Sequence, residues 1–256
     1  TVEVLPSIDS TSTELMRRAR NGRLEPTLLV AEEQTAGRGR LGRQWHTGAY
    51  EGTGMVPALT FSLGLPLAPR EWAGLSLAVG VSVAESLQPA LPGADGGQPR
   101  ILLKWPNDLW LEDGRKLAGV LIETTEMADG SGRRCIIVGV GINLQPPPAQ
   151  GLRTPAACLQ DLDARLDGPA ALLRYAAPVV RTLLGFAESG FAPFQPRFAR
   201  RDYLKGRAVQ LSNGVQGTAC GVQDDGALQL STRGGLQRIT SFEVSVRPAS
   251  SCGAGA

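Results

Sequence analysis

The chain has 256 residues, 42% of them hydrophobic, with 26 Lys and Arg against 24 Asp and Glu and a formal net charge of +2. That length suffices for one large domain and a small one around a substantial core, and so mild a charge argues against nucleic acid as the main partner. No unbroken apolar run approaches the roughly 20 residues of a membrane span, and the opening T-V-E-V-L-P-S lacks a signal-peptide layout, which reads as a cytoplasmic protein with no membrane partner. Cys135, Cys158, Cys220 and Cys252 show no C-x-x-C spacing and His46 is the single histidine, a pattern that speaks against a zinc site or a histidine triad. His46 reads as a local loop contact.

In chain order, Val2 to Ile8 reads as a strand. Asp9-Ser10-Thr11 leads into a helix from Ser12 to Arg20, with Thr11 and Glu14 spaced as a capping box and Gly22 as the stop. Thr27 to Ala31 and Ala58 to Leu65 are β-leaning apolar runs, and Trp72 to Leu87 is helical by pattern. Ile101 to Trp105 and Leu117 to Thr124 read as strands, joined through Pro106-Asn107-Asp108 and the turn Asp113-Gly114, followed by a strand from Arg134 to Leu144. Runs apolar on both faces predict a sheet covered by helices. Pro146 to Pro155 reads as a surface connection, and Pro169 to Ser189 as one or two helices interrupted near Pro178. Beyond Tyr203, short alternating runs at Ala208 to Leu211, Gly217 to Val222, Ala227 to Leu230 and Gln237 to Ile239 predict a small all-β barrel. Ser250 to Ala256 is expected to be a disordered tail.

The segment Gln34 to Trp45 reads Q-T-A-G-R-G-R-L-G-R-Q-W. Glycines expose backbone N–H groups, and the planar forks of Arg38, Arg40 and Arg43 match carboxylate and phosphate oxygens, so the loop suits a bound anion. Gly37-x-Gly39-x-x-Gly42 also meets the dinucleotide fingerprint. That reading fails on context, because a dinucleotide loop opens a helix, whereas Gly48, Gly52, Gly54 and Pro57 follow here. A solvated basic turn is the bland alternative.

Four further segments carry candidate chemistry. Lys104-Trp105-Pro106-Asn107-Asp108 sets an ammonium, an aromatic, an amide and a carboxylate at a strand end, where a capped proline turn is the plain alternative. Lys116 enters an apolar strand, either snorkelling or presenting a compact charge to an oxyanion. Gly139-Val140-Gly141-Ile142-Asn143 ends a strand with glycines that admit another backbone or a ligand. Asp9-Ser10-Thr11 supplies hydroxyls at a helix start, where an N-cap is the default.

Together and in this order, Asp9-Ser10-Thr11, Gln34 to Arg40, Lys104 to Asp108, Lys116-Leu117-Ala118-Gly119 and Gly139 to Asn143 closely resemble the biotin protein ligases, also called biotin–[acetyl-CoA-carboxylase] ligases. The likeness spans roughly Val2 to Tyr203 and reaches the small C-terminal domain through Gly226-Ala227-Leu228. It implies an α/β (α+β) fold: a mixed central β-sheet flanked by helices, class II synthetase-like, with a small Src-homology-type β-barrel. The domains implied are residues 1–204 for biotin and ATP and 205–249 for the barrel, with a tail at 250–256.

The resemblance further implies activation of biotin with ATP and Mg2+ to biotinyl-5′-adenylate and pyrophosphate, then transfer to a lysine of a biotin carboxyl carrier domain. Lys116, Arg40 and Asp108 would be catalytic, and Asp108 would hold Mg2+, directly or through water, or help hold or deprotonate the incoming amine. Ser10, Thr11, Gln34, Gly37, Arg38, Gly39 and Lys116 would line the biotin pocket, while Arg40, Trp45, Asn107, Asp108 and Asn143 would face the nucleotide, Trp45 stacking on adenine. Lys104, Gly119 and Gly141 complete the binding set. Biotin binding would order the arginine loop as a lid, against a cost of ~1–2 kcal/mol per residue. Related enzymes often pair sheet edges into homodimers.

Some features depart from the family pattern. Gly48 to Met55 is longer than usual, Ser12 stands where many members carry asparagine, and Gly114 adds a residue before Lys116. The chain starts almost at the catalytic domain, which predicts a ligase without a repressor function. Three rival readings stand beside it: a lipoate ligase, told apart by pocket polarity; a nucleic-acid-binding module resting on Arg38, Arg40, Arg43 and Trp45; and a dinucleotide-dependent oxidoreductase.

Overall fold

The computed structural model describes residues 1–23, 25–45, 47, 57–67, 69–93, 97–128, 130, 134–146, 154–240 and 246–248. His46, the Gly48 to Met55 stretch, Cys252 and the Ser250 to Ala256 tail lie outside the described residues. Seven strands form the main sheet: β1 (Val2–Ile8), β2 (Thr27–Gln34), β3 (Ala58–Pro66), β4 (Ile101–Lys104), β5 (Asp108–Leu111), β6 (Lys116–Glu126) and β7 (Arg134–Asn143). Their order is β1-β2-β3-β7-β6-β5-β4, with β1 and β2 parallel and every other neighbour antiparallel, so the sheet is mixed as expected.

Helices cover both faces. On one, α1 (Thr11–Arg20) buries Leu15 and Ala19 against Leu29, Cys135 and Ile137. On the other lie α2 (Leu75–Leu87) and α3 (Gly168–Ser189), with the short α4 (Gln195–Ala199) beside α2. The burial of β3 and β7 on both faces explains why both read as largely apolar.

Several boundaries differ from the sequence reading. The α1 cap is Ser10, whose side chain accepts from the Thr13 N–H, while Glu14 pairs with Arg17 and Arg18 instead of closing a capping box. α2 starts at Leu75 because Gly74 sits at φ 81°, and Trp72 lies outside it beneath the Arg134 guanidinium. α3 runs unbroken through Pro178: Tyr175, Val179, Leu183 and Phe186 are all fully buried, and that packing offsets the lost backbone bond. By length and composition α3 is also apolar enough to cross a membrane, yet Arg174 and Arg181 interrupt it and one face packs on α2.

The C-terminal sheet has five strands, β8 (Ala208–Leu211), β9 (Gln216–Val222), β10 (Leu228–Thr232), β11 (Gly235–Ile239) and β12 (Val246–Pro248), in the order β11-β10-β9-β8-β12. Among the described residues β11 and β12 are its free edges, and no pairing between them closes the expected barrel. It is keyed to the main sheet: the buried Trp105 Nε1 donates to Gly226 O at 3.0 Å, and a Cβ on Gly226 would stand 2.5 Å from the Gly74 Cα.

Candidate functional site

One cleft opens where the start of α1, the segment after β2, the β4–β5 turn and the strands β6 and β7 meet. Ser10, Thr11, Gln34, Arg38, Gly39, Arg40, Trp45, Lys104, Asn107, Asp108, Lys116, Gly119 and Gly141 all line it. Gly37 and Asn143 do not. Asn143 is 9% exposed and its Nδ2 donates to Ala157 O at 2.9 Å and Lys116 O at 3.3 Å, so it braces the start of β6 behind the cleft rather than facing a ligand.

The inner wall is a ladder of buried hydroxyls. Gln34 Oε1 accepts from the Thr11 N–H at 2.8 Å and from Thr11 Oγ1 at 3.0 Å. Thr11 Oγ1 lies 2.7 Å from Ser62 Oγ, which lies 2.9 Å from Ser12 Oγ. Gly139 is required here, since a Cβ would stand 2.7 Å from Ser12 Oγ. Ser62 and Ser12 belong to the site although the sequence reading assigned neither to it. Thr60 and Ser62, two hydroxyls alternating inside the apolar β3 run, were the signal for one polar stripe facing α1.

The glycine–arginine segment folds into a small hairpin, a strap across the cleft. Trp45 N–H donates to Gly37 O at 2.9 Å, Gly39 N–H to Arg43 O at 2.7 Å, and Leu41 turns the tip at φ 56°. Gly37 must be glycine, as a Cβ would press within 2.4 Å of Trp45 O. The Gly39 N–H, expected to face a ligand, is used by the hairpin itself. Trp45 lies flat on Gly141, where a Cβ would fall 2.4 Å from the indole, and its ring stands 5.9 Å from Lys116 Nζ. The indole therefore walls the cleft beside Lys116, with its Nε1 buried and unpartnered.

Opposite the strap is a corner of fixed charge. Asp108 Oδ1 accepts from Lys116 Nζ at 2.7 Å, and Gly119 leaves room for that pair, its would-be Cβ 3.4 Å from Nζ. Burial pushes the Asp108 carboxyl up, but Lys116 and Lys104 outweigh it and hold the group below its ordinary value. Lys104 is 7% exposed, with its ammonium 4.8 Å from the Trp110 ring centroid. Burial lowers its pKa to about 8, Asp108 opposing and Lys116, Arg43 and Arg247 adding to the shift. Arg40 Nη1 reaches Asn107 Oδ1 at 3.4 Å, and Asn107 Nδ2 donates to Val120 O at 2.7 Å. Burial lowers the Arg40 pKa also, with Asp108 opposing.

Lys116 itself is clamped by backbone: its N–H donates to Pro155 O at 2.8 Å and its carbonyl accepts from Ala157 N–H at 2.9 Å. A residue from the other sheet, Arg247 on β12, completes the cationic lining. Sequence reading missed it because only the packing of the two sheets brings it there.

Arg38, Arg40 and Lys116 thus share one cavity, as the expected chemistry requires. Residues 4–143 match the Biotin/lipoate A/B protein ligase family, and residues 206–247 match the Biotin protein ligase C terminal domain. The chain belongs to the biotin/lipoate A/B protein ligase family. It is 35% identical to the bifunctional ligase/repressor BirA of Escherichia coli K12 over 97% of this chain and 74% of that protein. To the biotin–[acetyl-CoA-carboxylase] ligase of Paracoccus denitrificans it is 32% identical, over 94% of this chain and 98% of the relative. Among solved structures it resembles the biotin protein ligase from Aquifex aeolicus in complex with biotin and ATP, with a TM-score of 0.76 and 28% identity over 97% of this chain and 99% of that one. The expected ligase class and the fold with its mixed sheet are borne out, and the dinucleotide reading of the strap falls.

Proposed function

We propose that this ligase joins biotin to ATP, forming biotinyl-5′-adenylate and pyrophosphate, and then passes the biotinyl group to a lysine of a biotin carboxyl carrier domain. The observation that carries this is the convergence of Lys116, Arg40 and Lys104 on a cleft whose inner wall is a hydroxyl ladder. A ureido ring needs polar partners when buried, and the wall of Thr11, Ser12, Ser62 and Gln34 offers them, whereas a lipoyl chain would gain nothing from a wall so polar.

In the first step a biotin carboxylate oxygen attacks the α-phosphorus, and the bond from that phosphorus to the β-phosphate oxygen breaks, the electron pair leaving with pyrophosphate. Two anions approach each other, so preorganised cations decide the rate. Lys116 and Arg40 stabilise the charge developing on the α-phosphate, while Lys104 and Arg247 face the rest of the phosphate chain. In the second step the carrier amine attacks the acyl carbon and AMP departs. Asp108, released from Lys116 as that lysine turns to the phosphate, is placed to take the amine proton.

No three His, Cys, Asp or Glu side chains cluster to hold a metal among the described residues. Asp108 alone fits an ion carried in with the nucleotide, because Mg2+ keeps its waters and takes phosphate oxygens plus one or two carboxylates. Bound there, directly or through water, it would supply neutralisation of phosphate charge. Trp45, packed against Gly141 beside Lys116, offers the nucleotide an aromatic wall.

The test is pyrophosphate release driven by biotin in the presence of MgATP, followed by labelling of a carrier lysine. Release driven by lipoate and not by biotin would reverse the assignment.

A further inference from the structure

Glu123 has no part in the chemistry above, yet it is placed as if it did. It lies on β6 two residues beyond Leu121 and four beyond Gly119, both of which line the cleft, and it pairs across the ladder with Ile137 beneath α1. β5 pairs with β6 only as far as Gly119, so at Glu123 the strand has its outer edge uncovered by β5. Its Oε2 is shut off from solvent without a hydrogen-bond partner. A carboxylate so placed costs stability unless a cation satisfies it.

Burial raises the Glu123 pKa, and the charges of Arg38 on the strap and Arg20 at the end of α1 oppose that shift. Arg20 belongs to a fixed helix, whereas Arg38 rides on the strap, lines the cleft, and makes no side-chain hydrogen bond or ion pair among the described residues. At the strap's tip Arg40 already reaches across to Asn107. A second attachment at Arg38 would fasten the hairpin at both ends of its span.

We propose that Glu123 is a positioning residue: its carboxylate receives Arg38 when the strap closes over the bound acyl-adenylate, and the resulting ion pair sets how long that intermediate is retained. The inference rests on the function proposed above and adds to it a residue that touches neither ligand. The paired guanidinium then faces Glu123 and leaves the negative mixed anhydride to Arg40 and Lys116.

The test is a double-mutant cycle on the full chain with Glu123→Gln and Arg38→Gln. Wild-type protein is first given biotin and MgATP. Failure to form any adenylate would refute the proposed function and leave no intermediate for Glu123 to retain. Given adenylate, each single variant should raise its dissociation rate about tenfold, the double variant should be no faster than either single, and the KM for biotin should rise more than kcat falls. Glu123→Asp should recover part of the retention, which a purely structural role would not predict. Thermal melts keep folding defects apart from the effect. An unchanged off-rate in Glu123→Gln, or a double variant equal to the product of the two singles, would overturn the proposal.

Discussion

On one side of the cleft Lys116 is clamped through its own N–H and carbonyl and paired to Asp108, with Lys104 buried against Trp110. On the other side Arg38, Arg40 and Arg43 hang on a hairpin held by a few backbone bonds and turned at Leu41. The first set of charges is in place before any ligand arrives, its backbone fixed, so that reaction asks only for Lys116 Nζ to turn from Asp108 to the phosphate. The second rides on a hairpin that can shift as a unit, with Arg40 docked on Asn107 at its tip. A site that must both stabilise a transient charge and shelter a hydrolysable anhydride is served by having one of each.

The sharpest way to break that comparison is at the fixed corner. Lys116→Met should lower the rate of biotin-dependent pyrophosphate release by ~10³-fold, the scale of losing a preorganised oxyanion donor. The melting temperature should stay within a few degrees; turnover within a few-fold of wild type would remove Lys116 from the mechanism. On the strap, Arg40→Ala should act on retention more than on chemistry, speeding adenylate dissociation by about tenfold, the 1.4 kcal/mol scale of one charge-assisted hydrogen bond. An off-rate identical to wild type would mean the strap is not a lid.

The fixed side should also respond to pH. Lys104 loses its charge near pH 8, so the KM for ATP should rise several-fold as pH climbs from 7 through that value, and Lys104→Met should flatten the alkaline limb. The stability effect has the opposite sign. An unfolded lysine holds its proton to about pH 10.4, so between roughly 8 and that value the unfolded state binds more protons and the Lys104 contribution to stability improves with pH. A KM for ATP independent of pH between 7 and 9 would show that the Lys104 charge takes no part in nucleotide binding. The smallest effects should separate two glycines of the strap. Gly37→Ala forces a Cβ against Trp45 O and should loosen retention a few-fold, whereas Gly39→Ala, with its nearest neighbours at 3.6 and 3.7 Å, should bind as wild type. Equal behaviour of the two would mean the hairpin yields freely.

The sequence made the fixed corner easy to read and the strap half-readable. Lys104, Asn107, Asp108 and Lys116 sit in short motifs at strand ends, so their chemistry and their position coincide. β5 escaped because Pro106-Asn107-Asp108 reads as a connection, while the chain turns there through a cis Trp105–Pro106 bond and pairs again at once. β12 is only three residues long, too short for alternation to register. Ser62 and Arg247 were not assigned to the site, because register and sheet-to-sheet packing, rather than neighbours in sequence, bring them there. The strap's arginines were plain, but not that Gly39 would spend its N–H on Arg43 or that Trp45 would settle on Gly141.

The seam between the two sheets has its own consequence. Gly226 meets the Gly74 backbone too closely to carry a side chain, Gly74 in turn has Phe191 where its own would stand, Trp105 bonds across the same seam, and Arg247 of the second sheet lines the cleft. A joint that tight holds Arg247 in register with the cleft, leaving the hairpin as the part of the wall most easily moved. The C-terminal part is accordingly no detachable accessory: exchanging it for that of a relative would have to carry both faces of the joint with it.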